Sequence, residues 1–151
     1  MDEASKTCNE TVMTGQNFVA AAPLRILVVD DEEVIRYYLE KILVKAGYHA
    51  TLAGDAQSAY ALMEKERFDI GIVDRMLPHG ENGLDIIKML KSRNSLCEVI
   101  LISAQPTLDS ARESLHYETL AYISKPFTHE EICAAVRRAE RKILDKKAAE
   151  E

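Results

Sequence analysis

The stretch RILVVDDEE, residues 25–33, changes character sharply within nine residues. Its first part, Ile26–Val29, is apolar and rich in β-branched side chains. It is too short for a helix and does not alternate polar with apolar. A strand of that type is buried on both faces, as in a parallel sheet covered by helices. It then breaks into four consecutive acidic residues, Asp30 to Glu33. Three more runs repeat the apolar half of this pattern: Ile70–Val73 (IGIV), Val99–Ile102 (VILI) and Leu120–Ile123 (LAYI). A weaker run, Ala50–Ala53, makes a fifth strand.

Segments of helical period separate the runs. Ile35, Leu39, Ile42 and Ala46 mark the first. Ala59, Leu62 and Met63 mark the second, and Leu84, Ile87 and Leu90 the third. Leu108, Ala111 and Leu115 mark the fourth. Ile132, Val136, Ala139 and Ile143 mark the fifth. Gly47 predicts the stop of the first helix. Thr128 with Glu131 predicts a capping box at the start of the last. The order is βαβαβαβαβα, and each right-handed crossover needs its helix. The fold class is therefore α/β, a doubly wound five-stranded parallel sheet with helices on both faces.

Composition narrows the function classes. The chain has 151 residues, with 19 Lys+Arg against 25 Asp+Glu and a net charge of -6. That length suits one domain with little left over. The acidic balance argues against a general nucleic-acid or anionic-membrane surface. No apolar run approaches the roughly 20 residues that span a bilayer. Met1 to about Leu24 lacks both the basic start and the long apolar stretch of a secretory signal, and reads as a flexible leader. Cys8, Cys97 and Cys133 are odd in number and far apart, so neither a zinc site nor a disulfide framework is expected. Free thiols suit a reducing cytoplasm.

In an open parallel sheet, ligands bind beyond the carboxyl ends of the strands. Asp30 and Asp31 follow the first run and Asp74 the third. Ser103 and Ala104 follow the fourth, and Ser124, Lys125 and Pro126 the fifth. Three carboxylates, a hydroxyl and an ammonium thus fall at one rim. Two unit charges about 5 Å apart repel by roughly 3 kcal/mol at an effective dielectric near 20. Either a carboxyl group stays protonated or a cation sits among them, and Mg²⁺ prefers such hard oxygens. A metal and Lys125 together would neutralise charge that develops in phosphoryl transfer.

The motifs ILVVDDEE (26–33), IVDRMLP (72–78), LISA (101–104) and YISKPF (122–127), in this order and spacing, resemble the receiver domain of bacterial two-component response regulators. The resemblance covers residues 25–144, leaving 1–24 as leader and 145–151 as a helical tail or connector. It implies a flavodoxin-like sheet of strand order 2-1-3-4-5, a cytoplasmic location and no enzyme activity beyond assistance to the domain's own phosphotransfer and slow dephosphorylation. It implies that Asp74 accepts a phosphoryl group from a histidine kinase or a histidine phosphotransfer protein. Asp31, Asp74 and the Met76 backbone carbonyl would ligate Mg²⁺, with Asp30 acting through a metal-bound water. Lys125 would contact the phosphoryl group, and small Ala104 would leave it a path. Ser103 and Tyr122 would rearrange together, shifting the face of the fourth helix, fifth strand and fifth helix toward a protein partner or a second copy. The Lys125-Pro126 bond is cis in this family, and X-Pro is where a cis bond is least unfavourable.

Plainer readings stand beside these. Asp31 alone reads as a helix N-cap, Asp74 as a turn residue, Lys125 as an exposed lysine and Tyr122 as core packing. Arg75 reads equally as partner-steering or solvated. His49, His79, His116 and His129 show no ligand spacing. The loop His79–Gly83 is one residue longer than the family's commonest form, and Tyr117-Glu118-Thr119 replaces a usual Gly-Ala turn, so the fourth helix should end differently. Two other functions compete. One is a receiver cut from a larger regulator, such as a transcription factor or hybrid kinase. The other is a Mg²⁺-dependent phosphatase, which needs a second acid two residues after the nucleophile, where Met76 stands.

Overall fold

Each apolar run becomes a strand. In the computed structural model, which describes residues 23–150, these are β1 (Arg25–Val29), β2 (His49–Ala53), β3 (Ile70–Asp74), β4 (Glu98–Ser103) and β5 (Ala121–Ser124). The helices are α1 (Glu33–Lys45), α2 (Ala56–Lys65), α3 (Gly83–Arg93), α4 (Leu108–His116) and α5 (His129–Glu150). All strands pair in parallel, in the order β2-β1-β3-β4-β5. The doubly wound, flavodoxin-like architecture follows from that order. The leader, residues 1–22 of it at least, lies outside the described residues, as does Glu151.

Strand parity divides the core in two. Ile26, Val28, Ile70, Ile72, Ile100 and Ile102 meet α1 and α5 on one face. Leu27, Val29, Val73, Val99 and Leu101 meet α2 and α3 on the other. Because both faces are covered, the strands carry no polar alternation, as their sequence indicates. Gly71 is the close approach in this packing: a Cβ there would stand 2.5 Å from Leu90 Cδ1.

The helix ends follow their local chemistry. Gly47 takes a left-handed φ of 96° just after α1. Thr128 N donates to Glu131 Oε1 at 2.8 Å, and Glu131 N donates to Thr128 Oγ1 at 3.1 Å, completing the capping box before α5. After α4, where no glycine is available, Glu118 takes the left-handed φ of 57°.

Two expectations are corrected. Leu108 and Leu115, the anticipated inner stripe of α4, are 68% and 78% exposed. The helix instead buries Ser110 and Ser114, because its inner side meets hydroxyl groups, Tyr122 and Thr119. Asp31 is not the N-cap of α1; Glu32 is, and its side chain makes no capping bond. Cys97 is a buried free thiol, as expected, and Cys8 lies outside the described residues.

β4 begins on Glu98, which is buried and ion-paired with Lys142, at 3.8 Å, and with Lys146. These contacts hold the long α5 against the lower end of the sheet. Residues 145–150 continue α5 without a break.

Candidate functional site

The strand ends β1, β3, β4 and β5 converge on one rim. Asp30 and Asp74 are buried there, and Asp31 beside them is exposed. One carboxylate oxygen from each lies within 4.8 Å of the other two. Among the described residues this is the one group of three or more acidic, histidine or cysteine side chains able to hold a metal ion. The set is all hard oxygen, as a Mg²⁺ site requires.

Lys125 closes the cluster. Its Nζ is 2.8 Å from Asp30 Oδ2, 2.8 Å from Glu32 Oε1 and 3.0 Å from Asp74 Oδ2. Burial works to lower the Lys125 pKa, but hydrogen bonds to the three carboxylates outweigh it and hold it above its ordinary value. Asp74 is pushed the other way from most paired carboxylates. Burial raises its pKa, helped by the Asp30 charge, while Lys125 and the Met76 N–H act to lower it. The Met76 N–H donates to Asp74 Oδ1 at 3.1 Å, so the turn reading of Asp74 also holds.

The surrounding backbone is pinned. Arg75 N donates to Ile102 O, and Gly83 N donates to Arg75 O, each at 2.9 Å. A Cβ on Gly83 would stand 2.2 Å from the Asp74 carbonyl oxygen. Lys125 N donates to Ser103 O at 2.8 Å, and the Lys125-Pro126 bond is cis. Ser103 is buried, and its Oγ accepts from Gln105 N at 3.1 Å. Ala104 and Met76 are exposed and line an open cleft with Asp31, Glu32, Asp74, Gln105 and Lys125.

Tyr122 shares the Leu101 face of the sheet and is partly buried against it. Its hydroxyl is 2.6 Å from Ser110 Oγ, which belongs to the capping box of α4. Arg75 is neither solvated nor free: Nε donates to Glu113 Oε1 on α4 at 3.2 Å. His49, His79 and His116 are exposed and His129 is half-buried; none joins the cluster.

The structure thus brings Asp30, Asp31, Asp74, Met76, Ala104 and Lys125 together at one cleft, with Ser103 beneath it. Tyr122 stands farther along β5. Sequence reasoning missed Glu32, whose carboxylate joins the cluster, and the tie between Arg75 and α4. No sequence signal points to Glu32, because the cap reads at Asp31 and the partner of Glu32 stands 93 positions away.

Residues 26–137 match the family described as the response regulator receiver domain. The chain belongs to that family. Receiver domains are phosphorylatable signalling switches of two-component systems. Sporulation initiation phosphotransferase F of Bacillus subtilis is 34% identical over 114 residues, covering 76% of this chain and 91% of that protein. The probable transcriptional regulatory protein TcrX of Mycobacterium tuberculosis is 35% identical over 115 residues, covering 76% of this chain and 49% of TcrX. This receiver chain therefore spans about half the length of TcrX. The BeF3-activated receiver domain of DrrB superposes with a TM-score of 0.71 at 25% identity, covering 79% of this chain and 98% of that one. Among the described residues, no helix is long and apolar enough to cross a membrane.

Proposed function

We propose that this receiver accepts a phosphoryl group on Asp74 from a phosphohistidine of a histidine kinase or histidine phosphotransfer protein, with Mg²⁺ present. One observation carries the reading: a buried carboxylate at the end of β3, faced by Lys125 at 3.0 Å and grouped with Asp30 and Asp31. An Asp74 carboxylate oxygen forms the new bond to phosphorus as the phosphorus–nitrogen bond breaks, and the imidazole leaves carrying a proton. Asp31, Asp74 and the Met76 carbonyl would hold the metal, with Asp30 acting through water. Bound there, Mg²⁺ supplies charge neutralisation for the transferred group. Lys125 contributes the same from the chain itself, Ser103 donates to a phosphoryl oxygen, and Ala104 leaves the approach open. The domain is a phosphoacceptor that assists its own transfer and slow dephosphorylation, in the cytoplasm. The unit that does this is residues 25–144.

Output follows from the neighbourhood of Ser103. Its movement toward the phosphoryl group opens space for Tyr122 to turn inward, leaving Ser110 and biasing the α4–β5–α5 face. Leu108, Leu115 and Leu144 are exposed there, which suits a protein partner or a second copy. A further output domain is the second reading, favoured by TcrX, of which this chain covers only half.

The decisive test is labelling by acetyl phosphate with Mg²⁺, read by intact mass. The native chain gains one phosphoryl group and Asp74→Asn gains none. Retained labelling of Asp74→Asn would remove Asp74 as the acceptor.

A further inference from the structure

Resting on that reading, we propose that Arg36 of α1 is a positioning residue for the metal site, its guanidinium orienting the peptide group that joins Asp30 to Asp31. Arg36 Nη1 donates to the Asp30 carbonyl oxygen at 2.6 Å. That oxygen and the Asp31 N–H belong to one planar unit. The bond therefore sets the plane from which the Asp31 side chain departs. Asp31 would ligate Mg²⁺ directly and Asp30 through water, and Arg36 holds the link between them.

The two acids are held unevenly, which is why this bond matters. Asp30 is wholly buried. Its N–H donates to Ala53 O at 3.1 Å, and its Oδ1 accepts from Glu32 N at 2.8 Å. Asp31 is exposed, so packing against the core does not fix its direction. The Asp30 carbonyl also lies past Val29, the last residue that β1 pairs with its neighbours. Its donor comes instead from α1. Arg36 N donates to Glu32 O at 3.1 Å in the first turn, and the side chain reaches back over that turn. Gly54, just after β2, leaves room for the guanidinium: a Cβ there would stand 3.1 Å from Nη1.

Charge and geometry make opposite demands at this place. As a charge alone, Arg36 repels a divalent cation, and its removal would tighten Mg²⁺ binding. As a positioning residue it orders the Asp30–Asp31 link before the metal arrives, and its removal would weaken binding because that ordering must then be supplied on binding. The direction of the change therefore separates the two roles.

The test is Mg²⁺ binding to the full chain without a phosphodonor, followed by amide NMR. Arg36→Met keeps a long stem and good helix propensity but removes the donor and the charge. It should bind Mg²⁺ about three- to tenfold more weakly, at or below the low end of what losing a ligand-orienting partner costs. Arg36→Lys keeps a cation and a donor and should recover most of that loss. In the metal-free chain, Arg36→Met should move the Asp30 carbonyl carbon resonance upfield and speed exchange of the Glu32 amide. Unchanged or tighter Mg²⁺ binding by Arg36→Met overturns the proposal. Arg36→Lys as weak as Arg36→Met overturns it too, since a donor at that place would then not matter. An unmoved Asp30 carbonyl resonance removes its first step. If the native chain binds no Mg²⁺, the metal part of the proposed function fails, and this inference fails with it. Native binding that Arg36→Met leaves intact defeats this inference alone.

Discussion

Asp74 keeps its position because residue 83 has no side chain. The β3–α3 connection folds back so closely that Gly83 N donates to Arg75 O at 2.9 Å, and a Cβ at 83 would lie 2.2 Å from Asp74 O and 2.9 Å from Val73 Cγ1. Both obstacles belong to the acceptor strand, and the nearer is rigid backbone. Gly83→Ala should therefore destabilise the protein by about 2–3 kcal/mol and also move Asp74. Urea unfolding reads the first effect, and the rate of labelling by acetyl phosphate reads the second. A variant with native stability and native labelling would show that the connection relaxes without moving the strand. The same scale explains why Glu32 escaped sequence reasoning while Asp30, Asp31, Asp74 and Lys125 did not. Those four follow apolar runs, so topology alone places them at the rim. The contact of Glu32 depends on a side-chain direction 93 positions from its partner, which no local pattern encodes.

Helix α4 is where hydroxyl chemistry replaces apolar packing. Ser110 Oγ accepts from Thr107 N at 2.8 Å, donates to Thr107 O at 2.9 Å and lies 2.6 Å from the Tyr122 hydroxyl. Ser110 is fully buried. Ser110→Ala removes the cap partner and strands the Thr107 N–H, with an expected loss of about 1–2 kcal/mol. It also unties Tyr122 from α4, so the tyrosine ring should move more freely. Tyr122→Phe and Ser110→Ala break the same bond, and their effects on urea unfolding should be less than additive. Full additivity would show that the hydroxyl pair carries no coupling. This helix is also where the sequence misleads. Leu108, Ala111 and Leu115 recur at helical spacing, which marks a buried stripe and a partner-facing stripe alike. The strands were legible because a run buried on both faces has no competing interpretation. A helical stripe identifies an apolar face but not what covers it.

At the scale of the whole molecule, the two cores set a limit on the alkaline side. Burial pushes the Cys97 thiol up to about 12 from its ordinary value of 9.0, at a position between β4 and the α3 side of the sheet. Tyr48, buried under α1 and hydrogen-bonded to Glu140 on α5 at 2.7 Å, is raised as well. A group with a raised folded-state pKa keeps its proton in the native chain after the unfolded chain has lost it. Stability is then fully present below the unfolded value and declines as pH rises through the interval to the folded one. The Cys97 interval opens near pH 9 and closes near 12, and that of Tyr48 opens one unit higher, from its ordinary 10.0. Between pH 9 and 10 the thiol is the first of the two to act. The native protein should therefore lose stability across that unit with a slope approaching one proton, up to about 1.4 kcal/mol. Cys97→Ala should be less stable at neutral pH because it loses a buried sulfur, yet fall less steeply from pH 9 to 10. Above pH 10 Tyr48 begins to act in both proteins, and the native chain should still fall more steeply than Cys97→Ala until the Cys97 interval closes near pH 12. Denaturant midpoints at half-unit intervals decide the matter. Parallel curves from pH 8 to 10 would show that the thiol titrates alike in both states, and would place the alkaline limit elsewhere in the fold.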